Sequence, residues 1–159
     1  MYKRQPRAYA AGSFSQTYGA FSPNRRWVAY ASDESGQSEI YIDSFPEPGR
    51  RIRVTTAGGT EPRWRRDGKE LYFRRGTEVH IVKMTSGQLR PGSSTAAAPL
   101  EVRSIDRLFD AGAPIRAFDV TPDGSQFLVN LPALGSAPNT ATMVVNWNSR
   151  SHGDTETRR

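Results

Sequence analysis

One segment of the chain, residues 50–75, concentrates side chains that bind anions. It holds nine basic residues against three acidic ones, and this difference equals the net charge of +6 of the whole chain. Guanidinium groups fork onto carboxylates and phosphates and stack on aromatic rings, which the segment also contains. The candidate binding residues are Arg51, Arg53, Arg63, Arg65, Arg66 and Tyr72. An acidic protein partner or another anionic ligand is the chemistry that they indicate.

Alternation along two strands is expected to divide this basic segment, because successive side chains of a strand point to opposite faces. Arg51 and Arg53 then share one face, and Arg63 and Arg65 share a face of another strand. The residues expected to point inward are Ile52, Val54 and Trp64. Part of the charge is then the solvated side of two strands. No nucleic-acid-binding signature accompanies it, so nucleic acid is not the expected partner.

Residues that could support nucleophilic catalysis are sparse. Acyl transfer needs a raised nucleophile, a base within hydrogen-bond reach and oxyanion donors. The elbow motif G-x-S-x-G is absent, and its nearest approach, around Ser94 in 92–96, lies in a segment of small residues. His80 alternates with Val79 and Ile81, a pattern that indicates packing or a surface hydrogen bond. A small hydrolase built from His80 and a loop serine is the alternative function.

Metal and cofactor sites find little support in the sequence. The chain has no cysteine and two histidines, which removes thiolate sites and leaves little for an imidazole-rich one. Acidic residues such as Asp33, Asp67 and Asp123 fall in turns, where they ordinarily bond nearby backbone. Neither a P-loop nor G-x-G-x-x-G occurs. No cofactor and no metal are therefore expected.

Size and hydropathy bound the class of protein. The chain has 159 residues and a mass of 17.7 kDa, which suits one globular domain. No apolar run approaches the roughly 18 residues that a spanning helix needs, so membrane insertion is not expected. The basic N-terminus is followed by Ala, Gly and Ser rather than an apolar region, so no secretion signal is expected. The sequence does not determine the compartment.

An internal repeat indicates how these residues are positioned. Segments 21–30, 64–73 and 120–129 align without a gap, and each consists of an apolar residue, a polar turn and an apolar strand. This order predicts three β-hairpins. The further strand candidates are 39–42, 78–82, 100–109 and 141–145. The first offset, 43 residues, matches the length of about 40–45 residues for a four-stranded propeller blade. We predict an all-β chain.

The repeat resembles the WD40-like or TolB-like (PD40) propeller repeat, which reads F-S-P-D-G-K-x-I-A-F and then S-x-x-x-G-x-x-E-I-Y. Residues 21–42 carry this pattern, with Asn24-Arg25 in place of Asp-Gly. Segments 56–71, 118–124 and 145–147 are most similar to C-terminal propellers of bacterial sensor and serine/threonine kinase-type proteins. The resemblance implies a partial β-propeller of about three four-stranded blades over residues 13–147, and it would allow a periplasmic location.

The remaining segments are predicted to lack regular structure: a flexible N-terminal segment 1–12, a long loop 85–99 and a disordered tail 148–159. The resemblance implies a non-catalytic protein-interaction or scaffold module, part of a larger sensor or signalling protein. The resemblance implies a closed propeller of six or more blades, whereas this chain holds about three. The chain is therefore either a fragment or, as we expect, half of a homodimer that completes the ring. Anion binding by residues 50–75 is the third possible function.

Overall fold

The computed structural model describes residues 8–9, 12–86, 99–132 and 141–145. These residues contain no helix, which confirms the all-β prediction. They form eleven strands, which are β1 Gln16–Phe21, β2 Trp27–Ser32, β3 Glu39–Ser44, β4 Ile52–Arg53, β5 Thr60–Trp64, β6 Glu70–Arg75, β7 Glu78–Ser86, β8 Leu100–Asp110, β9 Ala117–Val120, β10 Gln126–Asn130 and β11 Ala141–Val145. Strands of this length, separated by turns rich in Gly, Asn and Asp, are the outcome that the sequence pattern predicts.

The strands form three antiparallel sheets in which neighbours in sequence are neighbours in space. The first sheet has the order β1-β2-β3-β4 and the second β5-β6-β7-β8. The third has the order β11-β10-β9 within the described residues. The predicted strands after each hairpin are therefore confirmed as β3, β7 and β11, and the predicted resumption near Leu100 is β8.

The three predicted hairpins share one register. In each hairpin the apolar residue that ends the first strand pairs with the second residue of the returning strand. The pairs are Phe21 with Val28, Trp64 with Leu71, and Val120 with Phe127. Each hairpin is closed by a backbone hydrogen bond of 2.9 or 3.0 Å, from Ser22 to Trp27, from Arg65 to Glu70, and from Thr121 to Gln126. The sequence repeat is thus a structural repeat.

The tips of the three turns also match. The aligned positions Arg25, Gly68 and Gly124 have φ values of 56°, 70° and 75°. The residue before each is Asn or Asp, and its side-chain oxygen accepts the backbone N–H two residues on, at 3.0 to 3.1 Å. Arg25 therefore adopts the left-handed conformation that the other two repeats give to glycine. The departure from Asp-Gly in the first repeat changes the residue and leaves the turn as it is.

Two apolar cores hold the three sheets in one stack. The first core lies between the first and second sheets and includes Ile40, Ile42, Leu71 and Phe73, all with no exposed surface. The second core lies between the second and third sheets. It contains Tyr72, Val79, Ile81, Leu108, Ile115, Phe118, Phe127 and Val129. The second sheet is therefore covered on both faces, which explains why β7 is buried at successive residues.

Each sheet presents equivalent residues in the same direction along the stack. We call the face of a sheet that packs on the preceding sheet its back face. In the second sheet this face carries Trp64, Leu71 and Phe73, which pack on the first sheet. The aligned residues of the third sheet, Val120, Phe127 and Val129, pack on the second sheet in the same way. The opposite, front face carries Tyr72 in the second sheet and its equivalent Leu128 in the third. The sheets therefore stack head to tail.

The predicted unstructured segments are described only in part. Strand β7 runs through Ser86, and Thr85 and Ser86 pair with Glu101 and Leu100 of β8, so the predicted start of the loop at 85 is corrected. Residues 87–98 and the predicted tail 148–159 lie outside the described residues. Within 1–12, the Tyr9 ring packs on Phe45 with centroids 5.7 Å apart.

Candidate functional site

The six residues predicted from the basic segment occupy two separate places. Arg51 and Arg53 lie on the back face of the first sheet, where Arg53 pairs with Tyr41 in register. Arg63, Arg65, Arg66 and Tyr72 lie where the second and third sheets meet. The prediction that alternation divides the cluster is therefore confirmed. The sequence neighbours do not form one continuous patch.

Arg51 and Arg53 are bound to groups of their own sheet. Arg51 forms an ion pair with Glu34 at 2.9 Å, and its guanidinium lies 5.4 Å from the centroid of the Tyr41 ring. Arg53 donates from Nε to the carbonyl oxygen of Thr55 at 2.9 Å and from Nη2 to Oε1 of Glu39 at 3.3 Å. Both side chains are thus paired within the first sheet, with 46% and 40% of their surface exposed.

Glu39 is a carboxylate without exposed surface, and it organises this side of the first sheet. It accepts hydrogen bonds from Gln37 Nε2 at 2.6 Å, from the Thr55 hydroxyl, from Gly58 N at 3.0 Å and from Arg53. Burial alone would raise the pKa of Glu39, but these hydrogen bonds outweigh burial and hold the pKa below its ordinary value. This glutamate belongs to the E-I-Y part of the repeat, so its role is structural.

Arg63 and Arg65 are likewise bound. Arg63 lies 3.8 Å from Asp119 and stands over the ring of Phe118, so it links the second sheet to the third. Arg65 pairs with Glu70 at 3.2 Å. Of the six candidate residues, Arg51, Arg53, Arg63 and Arg65 therefore form ion pairs within the fold.

Tyr72 is a core residue with 2% of its surface exposed. Its hydroxyl donates to Oε2 of Glu70 at 2.7 Å, and its ring meets Phe127 edge to face at 5.2 Å. Burial, followed by the hydrogen bond to Glu70, raises the pKa of Tyr72. Its ring packs inside the molecule, where a ligand has no access to its face.

Four cations stand apart because their side chains are exposed and form no ion pair within the described ranges. They are Arg25, Arg26, Arg66 and Lys69. All four lie in or beside two hairpin turns. Of these four, the sequence prediction included only Arg66. The other three can be identified only when the contacts between the turns and the ion pairs of the arginines are known.

The three hairpin turns adjoin one another at one end of the stack. A Cβ atom on Gly68 would lie 3.8 Å from Pro23, so the second turn touches the first. The backbone N–H of Arg66 donates to the carbonyl oxygen of Pro122 at 2.8 Å, so the third turn touches the second. We call this surface, residues 22–26, 65–69 and 121–125, the turn rim.

An open cleft of about 410 Å³ lies on the turn rim between the second and third turns. It is lined by Arg66, Thr121, Pro122, Asp123, Ser125 and Gln126. Asp123 accepts hydrogen bonds from Thr121 and Ser125, which lower the pKa of its carboxyl to about 2. The cleft thus pairs an exposed guanidinium with a carboxylate that stays ionised at neutral pH. Asp67 and Asp123 also bond the turn backbone, as predicted.

His80 is buried and held in place on both sides. Its ring stacks on Phe73 with centroids 5.1 Å apart, and Nε2 lies 2.8 Å from Oε2 of Glu78. Burial lowers the pKa of His80. Ser93 and Ser94, the serines of the alternative hydrolase prediction, lie outside the described residues. The structure therefore gives His80 a packing role.

In the part of the chain that the structure describes, no group of three or more His, Asp or Glu residues is arranged to hold a metal ion. None of the described elements is a helix of the length and apolar character required to cross a bilayer. Comparison with known protein families and with curated proteins found no match to this chain. The resemblance to TolB-like repeats therefore rests on the residues of the sequence repeat.

Proposed function

We propose that the chain is an incomplete β-propeller of the TolB-like type and acts as a non-catalytic protein-interaction module. The observation that carries this proposal is the head-to-tail stack of sheets built on one repeated hairpin. In a propeller, successive blades are copies of one unit related by rotation, so equivalent side chains must face the same way. Leu71 and Phe127, which both face the preceding sheet, meet this requirement.

A head-to-tail stack has two unlike ends. At one end is the back face of the first sheet, where Phe21 is 60% exposed although its equivalents Trp64 and Val120 pack against a preceding sheet. At the other end is the front face of the third sheet, where Leu128 is 46% exposed although its equivalent Tyr72 is buried. Each end therefore exposes an apolar residue whose equivalents are covered inside the stack, whereas Val28, Tyr30 and Tyr41 at the first end are buried and pack with Tyr9 and Phe45.

Two copies of the chain would cover both ends at once. The back face of one copy meets the front face of the other, and two-fold symmetry repeats this contact to close a ring. An interface of this kind is expected to bury on the order of 2,000 Å² in total. On the back face it would include the partly exposed Arg51 and Arg53 beside Phe21. The stability of each copy then depends on protein concentration.

Light scattering with thermal melts tests the assembly. We expect a mass of twice 17.7 kDa and a melting temperature that rises with protein concentration. Leu128→Lys, at the front end, should shift the mass to that of one chain. Ile105→Lys is the matched control, since Ile105 is an exposed apolar strand residue of the second sheet, 38% exposed. A wild-type mass of 17.7 kDa with a concentration-independent melt would overturn the homodimer.

The non-catalytic part of the proposal has its own assay. The stacking of His80 on Phe73 and its bond to Glu78 support a structural role. Hydrolysis of a p-nitrophenyl ester by the purified chain should stay at the rate of the buffer. Turnover above that rate, abolished by both His80→Ala and Ser94→Ala in folded protein, would instead support a hydrolase.

A further inference from the structure

We infer that the turn rim is the docking site for an acidic polypeptide segment. This inference rests on the proposed interaction role and names the surface and the partner chemistry for it. The rim is formed by three adjoining turns, joined by the contact of Pro23 with Gly68 and by the hydrogen bond from Arg66 to Pro122. Neither contact uses a cationic side chain, so the side chains remain available to a partner.

The rim carries the positive charge that the fold itself does not use. Five arginines of the basic segment, including Arg65 on the rim itself, form ion pairs with acids of the molecule at 2.8 to 3.8 Å. The pairs are Arg51 with Glu34, Arg53 with Glu39, Arg63 with Asp119, Arg65 with Glu70 and Arg74 with Glu61. On the rim, Arg25, Arg26, Arg66 and Lys69 make no such pair within the described residues. A carboxylate-bearing partner would supply the missing acids.

The conformation of Arg25 supports a role outside folding. It holds a φ of 56° at the position where the second and third turns have glycine. A side chain with a Cβ atom is strained in this region relative to its preferred conformations. The first turn therefore keeps a cation at a position where glycine would suit the fold better. Strained residues of this kind concentrate at functional sites.

The arrangement of charges favours a polypeptide over nucleic acid. Asp67 and Asp123 lie on the rim among its cations, and both stay in their turns through hydrogen bonds to backbone N–H groups. A nucleic acid strand carries a phosphate on every nucleotide, so a strand that contacts the rim cations would also bring phosphates close to both carboxylates. A polypeptide can place its acidic side chains at the arginines and its backbone N–H groups at the aspartates. The fixed turns also reduce the ordering cost of binding.

The test measures binding of a labelled peptide of alternating glutamate and glycine by fluorescence anisotropy. The comparison probes are the glutamine version of the peptide and an oligothymidylate with the same number of charges. Two rim variants are used, Arg25→Gly with Arg26→Gln, and Arg66→Gln with Lys69→Gln. The matched control, Arg103→Gln with Arg107→Gln, removes the same charge from exposed residues of β8 that pair with Glu101 and Glu78.

We expect the glutamate peptide to bind and the glutamine peptide not to bind. Each rim variant should weaken binding about tenfold, as the loss of two direct charge contacts does, and the control should change it less than about twofold. Equal weakening by the control, no binding of the glutamate peptide, or tighter binding of the oligothymidylate would overturn the inference. Light scattering on the same samples separates the two proposals. An intact dimer without peptide binding overturns the rim site alone, whereas a monomer that binds the peptide overturns only the assembly.

Discussion

Replacement of Glu39 by glutamine preserves the size of a buried side chain and removes its charge. The carboxylate has four donors, from Gln37, Thr55, Gly58 and Arg53. Glutamine offers only one acceptor oxygen, and its NH₂ group would face donors. The fold would then keep at least one buried donor without an acceptor.

The cost follows from these contacts. A hydrogen bond to a charged group contributes about 1.5–3 kcal/mol, and an unsatisfied buried donor costs about 1–3 kcal/mol. Loss of one partner from a fully buried ion pair costs about 3–5 kcal/mol. Because the Arg53 side chain is 40% exposed and water can solvate it, the lower end of that range applies. We therefore expect Glu39→Gln to reduce the free energy of unfolding by about 3 kcal/mol at neutral pH.

Urea denaturation at a series of pH values is the assay. The pKa of Glu39 in the fold lies below its ordinary 4.5, so its stabilising contribution is complete above that pH and is lost as pH falls through the folded value. The difference in the free energy of unfolding between wild type and Glu39→Gln should therefore become smaller at acid pH. Glu101→Gln is the control, since Glu101 is 52% exposed and pairs with Arg103 at the surface. It should cost less than about 0.5 kcal/mol. An equal loss in both variants, or a gap that widens in acid, would refute the reasoning.

Three further variants test the repeat itself. Arg25→Gly should stabilise the fold by about 0.5–1 kcal/mol in urea titration, because glycine relieves the positive φ, whereas a loss would mean that the arginine side chain stabilises its turn. Gly124→Ala should destabilise the fold by more than about 2 kcal/mol, because the new Cβ atom would clash with the Tyr72 hydroxyl and residue 124 has a φ of 75°. An unchanged melting temperature would show that the third turn does not pack there. Trp64→Phe should cost about 1–2 kcal/mol, because it removes the 3.0 Å hydrogen bond from the indole to Ala20, and a neutral result would mean that this bond is not formed.

The hairpins could be predicted from the sequence because their determinants are local. A turn residue tolerant of positive φ between two apolar strands specifies both the turn and the register, and the same seven-residue spacing recurs in all three pairs. The faces of Arg51, Arg53, Arg63 and Arg65 followed from alternation along strands for the same reason.

The turn rim could not be predicted in this way. It depends on which turn lies against which, and therefore on the stacking of whole sheets. Arg53 and Arg63 each have an acid from another strand within reach, whereas Arg66 and Lys69 have no ion pair among the described residues. The burial of Tyr72 also follows from the third sheet, whose Phe127 meets its ring. Sequence spacing contains none of this long-range information.

The measurement that tests the central claim most directly is a crosslink between the two ends of the stack. The chain has no cysteine, so Phe21→Cys and Leu128→Cys each introduce a single thiol. With a short bismaleimide, head-to-tail closure predicts a covalent dimer when the two variants are mixed and little product from either variant alone. Crosslinked dimers within each single variant, or no dimer in the mixture, would contradict the account.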